Sequence, residues 1–400
     1  MNVSQVNAGS GDLPLQGVRV LDFSQFLAGP SCALRLADLG ADVIKVERPE
    51  GGDLCRQLAL ADQRRGPDSA LFHTINRNKR SFAADLKSPD DLEKVRALLG
   101  TADVMIHNFR PGVMERLGLD YDTVRASHPR LVYGTVTGYG TSGPWRDKPG
   151  QDLLVQSLSG ITWLSGNGGE DAEPVPLGVS VVDLMTGAQL LQGILSLLVR
   201  RGVTGQGGRV EVSLLESALD MQFEPLTVFL NGGGVPQRST NNHANPHIGA
   251  PYGIYRTADG FLALAMTPLD ELARLIGAAD LQQAAADRSI WYSERDRLKQ
   301  LLQEHLLQGS TAHWLAILEP AGIWCADVLT WPQLLEHPGF QALDMVQTLD
   351  MDSGPAMQTT RCPIRIDERL LRSARPAPAL GAHTDEILRE LGLAKMELHA

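Results

Sequence analysis

The chain has 400 residues, 43% of them hydrophobic and 21% charged, with a formal net charge of −11. That length allows two domains, each with its own core, and the composition excludes a disordered chain. A net acidic protein is not a general nucleic-acid or membrane-surface binder, since both roles need a basic face.

In chain order, GVRVLDF at 17–23 predicts a buried strand. The loop SQFLAGP follows, then a helix from Ser31 to Leu39 stopped by Gly40, and a second strand, DVIKVE, at 42–47. Strand, helix, strand within about 30 residues is the signature of a parallel sheet. The pattern continues with a strand at 81–86, a helix at 90–99, and strands at 103–107 and 131–137. A doubly wound α/β domain is expected. The first loop lacks GxGxxG, so dinucleotide binding is not expected, although Glu47 ends the second strand where such folds place a ribose-binding acid.

After a stretch rich in Gly, Pro and Asp, a long apolar helix is predicted from about Val182 to Arg201. Asp183, Gln189 and Gln192 interrupt its apolar run, which favours a buried helix over a membrane span. A strand at 209–213 and a helix at 214–229 come next. The loop NGGGVPQRSTNNHANPH (231–247) marks a boundary before a second α/β-like block with a strand at 261–266. A last helix starts after Thr384.

The four cysteines (Cys32, Cys55, Cys325, Cys362) form no CxxC pair and no zinc spacing, as expected for free thiols in a reducing cytoplasm. The N-terminus has neither the basic nor the apolar region of a secretory leader. Ten scattered histidines suggest no metal site. From Lys45 to Lys87 nine basic residues (Lys45, Arg48, Arg56, Arg64, Arg65, Arg77, Lys79, Arg80, Lys87) outnumber six acids. This stretch is either a solvated face or a docking site for a phosphorylated ligand.

Asp183 opens the long apolar helix. It reads as a helix-capping carboxylate, or as a nucleophile kept ionised by the helix dipole. Asn108, Phe109 and Arg110 follow a strand end, where α/β sheets bind ligands, and Tyr139 follows another. Taken singly, each is equally a packing or loop residue.

Six stretches together resemble the family III CoA-transferases, a group that includes formyl-CoA transferase, carnitine CoA-transferase and the alpha-methylacyl-CoA racemases. They are LPLQGVRVLDFSQFLAGPSCALRLADLGADVIKVERPEGGD (13–53), NRNKRSFAADLKSP (76–89), ADVMIHNFRPGVMERLGLDYDTV (102–124), YGTVTGYGTSGPWRDKPGQDLLVQSLSG (133–160), VSVVDLMTG (179–187) and GAHTDEILRELGL (381–393). The resemblance implies a Rossmann-like large domain with a parallel sheet and a smaller α/β domain, in an interlocked-ring homodimer. The expected boundaries are 1–213 with 366–400 for the large domain, 241–340 for the small one, and linkers at 214–240 and 341–365. It also implies Asp183 as catalytic nucleophile and Arg48, Lys87, Asn108, Phe109, Arg116, Gly138 and Tyr139 as contacts to coenzyme A, which binds as a substrate rather than a resident cofactor.

Two departures from formyl-CoA transferase bear on the acceptor acid. Its glutamine before the AGP turn is Leu27 here, and its glycine run is replaced by NPHIGAPYGIY (245–255). Leu27, His247 and Gly249 are therefore candidate substrate residues, with Arg238 or His247 as partner for a second carboxylate. The expected reaction is ping-pong transfer of CoA from an acyl-CoA, succinyl-CoA among the candidates, to a small carboxylic or dicarboxylic acid. One alternative is a racemase of the same fold, disfavoured because Gln151 stands where that branch has a histidine. The other is a non-catalytic CoA-binding protein. The expected partners are an acyl-CoA, a small acid and a second copy of the chain, without nucleic acid or membrane.

Overall fold

The computed structural model describes residues 13–351 and 354–393; residues 1–12, read above for a leader, lie outside them. The described residues fall into two compact units. One comprises those up to Val155, Ser180–Ser217 and Leu343 onward; the other comprises Gln156–Val179 and Ala218–Ala342.

The first unit is built on six strands, β1 (Arg19–Asp22), β2 (Asp42–Glu47), β3 (Arg80–Ala83), β4 (Val104–His107), β5 (Val132–Thr137) and β6 (Gly208–Ser213). All pair in parallel in the order β3-β2-β1-β4-β5-β6. This is the doubly wound order, in which the winding reverses between β1 and β4. Each strand is short and apolar because helices cover both faces. Leu21, Ile44, Phe82, Met105 and Tyr133 pack on one face against Val95, Leu98, Met114 and Ile387.

The helices that matter for the site are α1 (Ala28–Asp38), α2 (Pro89–Leu99), α3 (Val113–Leu117), α4 (Asp152–Ser159) and α5 (Val181–Thr204). Helix α2 starts as its sequence dictates: the Ser88 side chain accepts from the Asp91 N–H, Pro89 sits in the first turn, and Asp90 and Asp91 face the positive end. Helix α5 runs 24 residues and buries Val182, Thr186, Gly187, Leu190 and Ile194. A Cβ on Gly187 would lie 2.2 Å from Ser31 Oγ and 2.7 Å from the Ala28 oxygen, so only glycine lets α1 and α5 approach this closely.

The helix expected at 214–229 is two helices, α6 (Leu214–Asp220) and α7 (Phe223–Leu230). Pro225 has no N–H to give the Met221 carbonyl and would clash with it in a continuous helix. The second unit contains a three-stranded antiparallel sheet, ordered β9-β8-β7, from β7 (Gly253–Arg256), β8 (Phe261–Leu264) and β9 (Cys325–Asp327). Tyr255, Leu262, Leu264, Leu272, Leu298, Leu302 and Trp314 form its core.

Candidate active site

Parallel strands bring their carboxyl ends to one edge of the sheet, and a cleft of about 260 Å³ opens there. Phe23, Ser24 and Gln25 line it beyond β1, Val46 to Arg48 at the end of β2, Ala84 to Lys87 beyond β3, Phe109 beyond β4, and Val113, Arg116 and Leu117 from α3. Its walls are apolar (Phe23, Val46, Leu86, Phe109, Leu117), while Arg48, Lys87 and Arg116 are exposed cations at its rim. Four of the seven expected CoA contacts, Arg48, Lys87, Phe109 and Arg116, therefore converge on one cleft. Asn108 stands beside them, but both ends of its amide bond the Gln25 backbone.

Most of the basic stretch does not face a ligand. Glu47 receives two hydrogen bonds from Arg56, at 2.7 and 2.8 Å, and Arg56 also bonds Asp68 at 2.7 Å. Lys79 pairs with Asp22 and Lys45 with Asp53, each at 2.8 Å and fully buried. Arg80 bonds Asp42 and Glu390. Lys45, Arg56 and Lys79 thus belong to buried ion pairs beneath the cleft and Arg80 to pairs at the opposite, amino edge of the sheet, whereas Arg48 and Lys87 are exposed at the rim and Arg64 is exposed away from it. Glu47 is committed to Arg56, so the acid that a dinucleotide fold would use is spent. Gly52 has a φ of +60°, and a Cβ there would lie 2.7 Å from Glu47 Oε2, which explains the glycine where the chain crosses this network.

Asp183 lies at the third position of α5, half-buried. A crossover helix between β5 and β6 begins at the carboxyl edge of the sheet, the edge that holds the cleft. The residue does not cap its own helix. The Asp152 carboxylate accepts from the Val182 N–H at 2.9 Å and from the Asp183 N–H at 3.1 Å, while Ser180, the local cap position, makes no side-chain cap bond. The Asp183 carboxyl is harder to ionise than a position at a helix start alone suggests. Burial, and after it the neighbouring Asp152 charge, push its pKa up to about 7. Desolvation and a like charge both penalise the carboxylate.

Gly138 and Tyr139 follow β5 without lining the cleft. Gly138 lies against Gly150, where a Cβ on either would come within 2.7 Å of the other's Cα. Tyr139 donates to the Pro149 carbonyl at 3.2 Å and meets Trp145 edge-on. Both residues shape the loop that delivers Asp152. Leu27 begins α1 and packs beside Cys55, Phe72 and Ile75.

His247, Gly249 and Arg238 belong to the second unit. A Cβ on Gly249 would sit 2.7 Å from the Trp291 oxygen, so this glycine serves a close backbone approach. Arg238 Nη1 donates to the Ser165 and Glu173 carbonyls and its guanidinium lies over Trp163, which occupies it structurally. His247 keeps a buried Nε2 with no hydrogen-bond partner among the described residues.

The sequence profile of CoA-transferase family III matches residues 15–384. The chain belongs to this family. It is an acyl-CoA enzyme, a CoA-transferase. Its relatives include the succinate–glutarate CoA-transferase of Agrobacterium fabrum, 34% identical over 94% of this chain and 96% of that protein. The mouse succinyl-CoA:glutarate CoA-transferase is 30% identical over 94% of this chain and 86% of its own. Among solved structures, Rv3272 from Mycobacterium tuberculosis superposes with a TM-score of 0.80 at 31% identity, over 93% of this chain and 98% of that one. A CaiB/BaiF family protein from Brucella suis gives 0.81 at 32%, over 95% and 100%.

Asp152, which caps the helix that carries Asp183, has no local signal in the sequence. The PGQD turn drew attention only to Gln151, because helix caps are sought next to their helix and Asp152 lies 30 residues before Val182.

Proposed function

We propose that this CoA-transferase moves CoA from succinyl-CoA to an aliphatic dicarboxylate by covalent catalysis at Asp183. The substrate class rests on the relatives. Besides the two glutarate enzymes, a succinyl-CoA:mesaconate CoA-transferase of Haloarcula hispanica is 30% identical and a succinyl-CoA–L-malate CoA-transferase beta subunit of Chloroflexus aurantiacus is 31% identical. Succinate or its thioester is common to all their names, and the partner acid differs.

Asp183 carries the chemistry. A carboxylate with a pKa raised to about 7 is more basic, and hence more nucleophilic, than an ordinary one, yet still substantially ionised at neutral pH. It attacks the thioester carbon; the C–S bond breaks and CoA thiolate leaves a mixed anhydride. The thiolate attacks the aspartyl carbonyl, succinate departs, and an aspartyl-CoA thioester remains. The acceptor carboxylate displaces the thiolate to form a second anhydride. Thiolate attack on the acceptor's acyl carbon then releases the new acyl-CoA and regenerates Asp183. Thioester energy is conserved throughout, so no nucleotide is hydrolysed.

Arg48, Lys87 and Arg116 suit the phosphates of CoA through charge-assisted bonds, and Phe109 offers a ring face to its base. The working form is a homodimer. Val199 and Val203 on α5 are 72% and 86% exposed, Phe223 and Leu230 on α7 are 68% and 71% exposed, and apolar side chains so placed mark association surfaces.

The test offers succinyl-CoA with a panel of C4–C6 dicarboxylates, traps the enzyme with hydroxylamine and maps the adduct by mass spectrometry. A hydroxamate on Asp183 is expected. Turnover with no adduct on Asp183, or exchange of alpha hydrogen with deuterated water in place of transfer, would sink the proposal.

A further inference from the structure

Two carboxylates meet at the start of α5, and the reaction as written uses one of them. We infer that Asp152 is a positioning residue for Asp183: it fills the amide-donor site of the first turn, so that the nucleophile is kept off those donors and left to the acyl carbon. This rests on Asp183 being the nucleophile.

The geometry leaves Asp152 little freedom. A single oxygen, Oδ2, accepts from both Val182 and Asp183. The residue is buried at 5% exposure. The segment that carries it is pinned from behind by the Gly138–Gly150 backbone contact and by the Leu215 N–H, which donates to the Gly138 oxygen at 3.1 Å. Ser180 could have capped the helix locally and does not.

Without Asp152, the Val182 and Asp183 N–H groups would be free donors at the positive end of α5, and the carboxylate carried on that same turn is the anion nearest to them. Hydrogen bonds from such donors stabilise the anion and blunt it as a nucleophile. Asp152 removes the option by occupying the donors, and its own charge raises the basicity of its neighbour. The elements packed against α5 bring Cys32, Arg35 and Asp38 from α1, Tyr133 from β5, and Arg209 and Glu211 from β6. None of these acts on Asp183, whereas Asp152 does.

Two variants separate cap from charge. Asp152→Asn keeps an oxygen that accepts both N–H groups but is neutral; Asp152→Ala removes cap and charge. For each, the pH dependence of single-turnover hydroxamate formation from succinyl-CoA is measured on the full-length enzyme, with Asp183→Asn alongside. In Asp152→Asn the acid limb should move to lower pH, with up to about a ten-fold gain in ionised nucleophile at pH 6 and an unchanged KM for CoA. In Asp152→Ala the plateau rate should fall at least ten-fold, again at unchanged KM.

An acid limb that stays in place in both variants, with only the melting temperature lowered, would reduce Asp152 to a helix cap and overturn the inference. If Asp152→Ala does not fold, Asp152→Ser, whose shorter side chain draws the acceptor back from both N–H groups, takes its place and should show the same fall in plateau rate. Failure of the underlying reading looks different: Asp183→Asn would then form the adduct at the wild-type rate.

Discussion

Asn108 joins the two strands between which the winding of the sheet reverses. Its Oδ1 accepts from the Gln25 N–H at 2.9 Å, and its Nδ2 donates to the Gln25 carbonyl at 2.8 Å. One side chain at the end of β4 thus holds the loop leaving β1 like a missing piece of sheet. The next residue in that loop, Phe26, has a φ of +64°, and its N–H bonds Asp53 at 3.2 Å. The mouth of the cleft is therefore tied to the buried ion network below it, and its shape is set before a ligand arrives.

Asn108→Asp tests this tie. The carboxylate can still accept from Gln25 N–H, but it cannot donate to the carbonyl and repels it. A stability loss of about 1–2 kcal/mol is expected from the half-buried bond, with a raised KM for CoA and a nearly unchanged kcat. Thermal melts and steady-state kinetics give both numbers. A lower melting temperature at constant KM would mean that Asn108 holds the fold without shaping the cleft.

The rim cations should behave unlike the rest of the basic stretch. Replacing Arg48, Lys87 or Arg116 by Ala removes a charge-assisted contact of about 1–2 kcal/mol, or roughly 5–30-fold in KM for CoA, with kcat preserved. The effect should shrink at high salt, because these side chains are exposed. Arg64→Ala is the control: it lies in the same stretch, away from the cleft, and bonds Gln57 and the Pro67 carbonyl. Equal effects at all four positions would make the attraction a diffuse field rather than a site.

Much of the fold is legible in the chain. DVIKVE at 42–47 is a short apolar run between Gly40 and Pro49, and the observed strand has the same limits. What the pattern hides is long-range. A count of charges between 45 and 87 cannot tell Arg56, buried between Glu47 and Asp68, from Arg48 at the cleft, because partners 9 and 12 residues away are chosen by the fold. For the same reason Asp183, alone in sequence, resembled a cap, when the cap is Asp152. Pro225, by contrast, is a visible break inside 214–229, set within an apolar run that by itself predicts one continuous helix.

Glu47→Gln should show what the ion network contributes. Burial pushes the Glu47 carboxyl up, but the Arg56 hydrogen bonds and the Lys45 and Arg56 charges outweigh it and hold its pKa below the ordinary glutamate value. A depressed carboxyl adds stability above its unfolded pKa of 4.5 and loses it as the pH falls through the folded value. At pH 7 the variant should lose about 3–5 kcal/mol, the cost of breaking one partner of a buried pair. It should also be less sensitive than the wild type to acidification below pH 4.5. Urea melts from pH 3 to 8 measure both; parallel stability curves for the two proteins would place the acid loss elsewhere.

Asp183→Asn should abolish transfer and stabilise the protein, and the pH dependence of the two effects should agree. With its pKa raised from 3.8 to about 7, Asp183 binds a proton in the folded state over a range where the unfolded chain has released it. Wild-type stability therefore falls as the pH climbs from about 4 to about 7 and stays low above, by an amount of order 1–4 kcal/mol. Asparagine carries no charge to desolvate beside Asp152, so the variant should melt higher than the wild type at pH 8 and match it at pH 4. Acylation of the wild type should rise across the same interval, because only the ionised carboxyl attacks. A site that is costly to charge and works only when charged has traded stability for activity. Equal melting temperatures at pH 8, or an activity limb centred near pH 4, would show that Asp183 is an ordinary carboxylate in the folded enzyme.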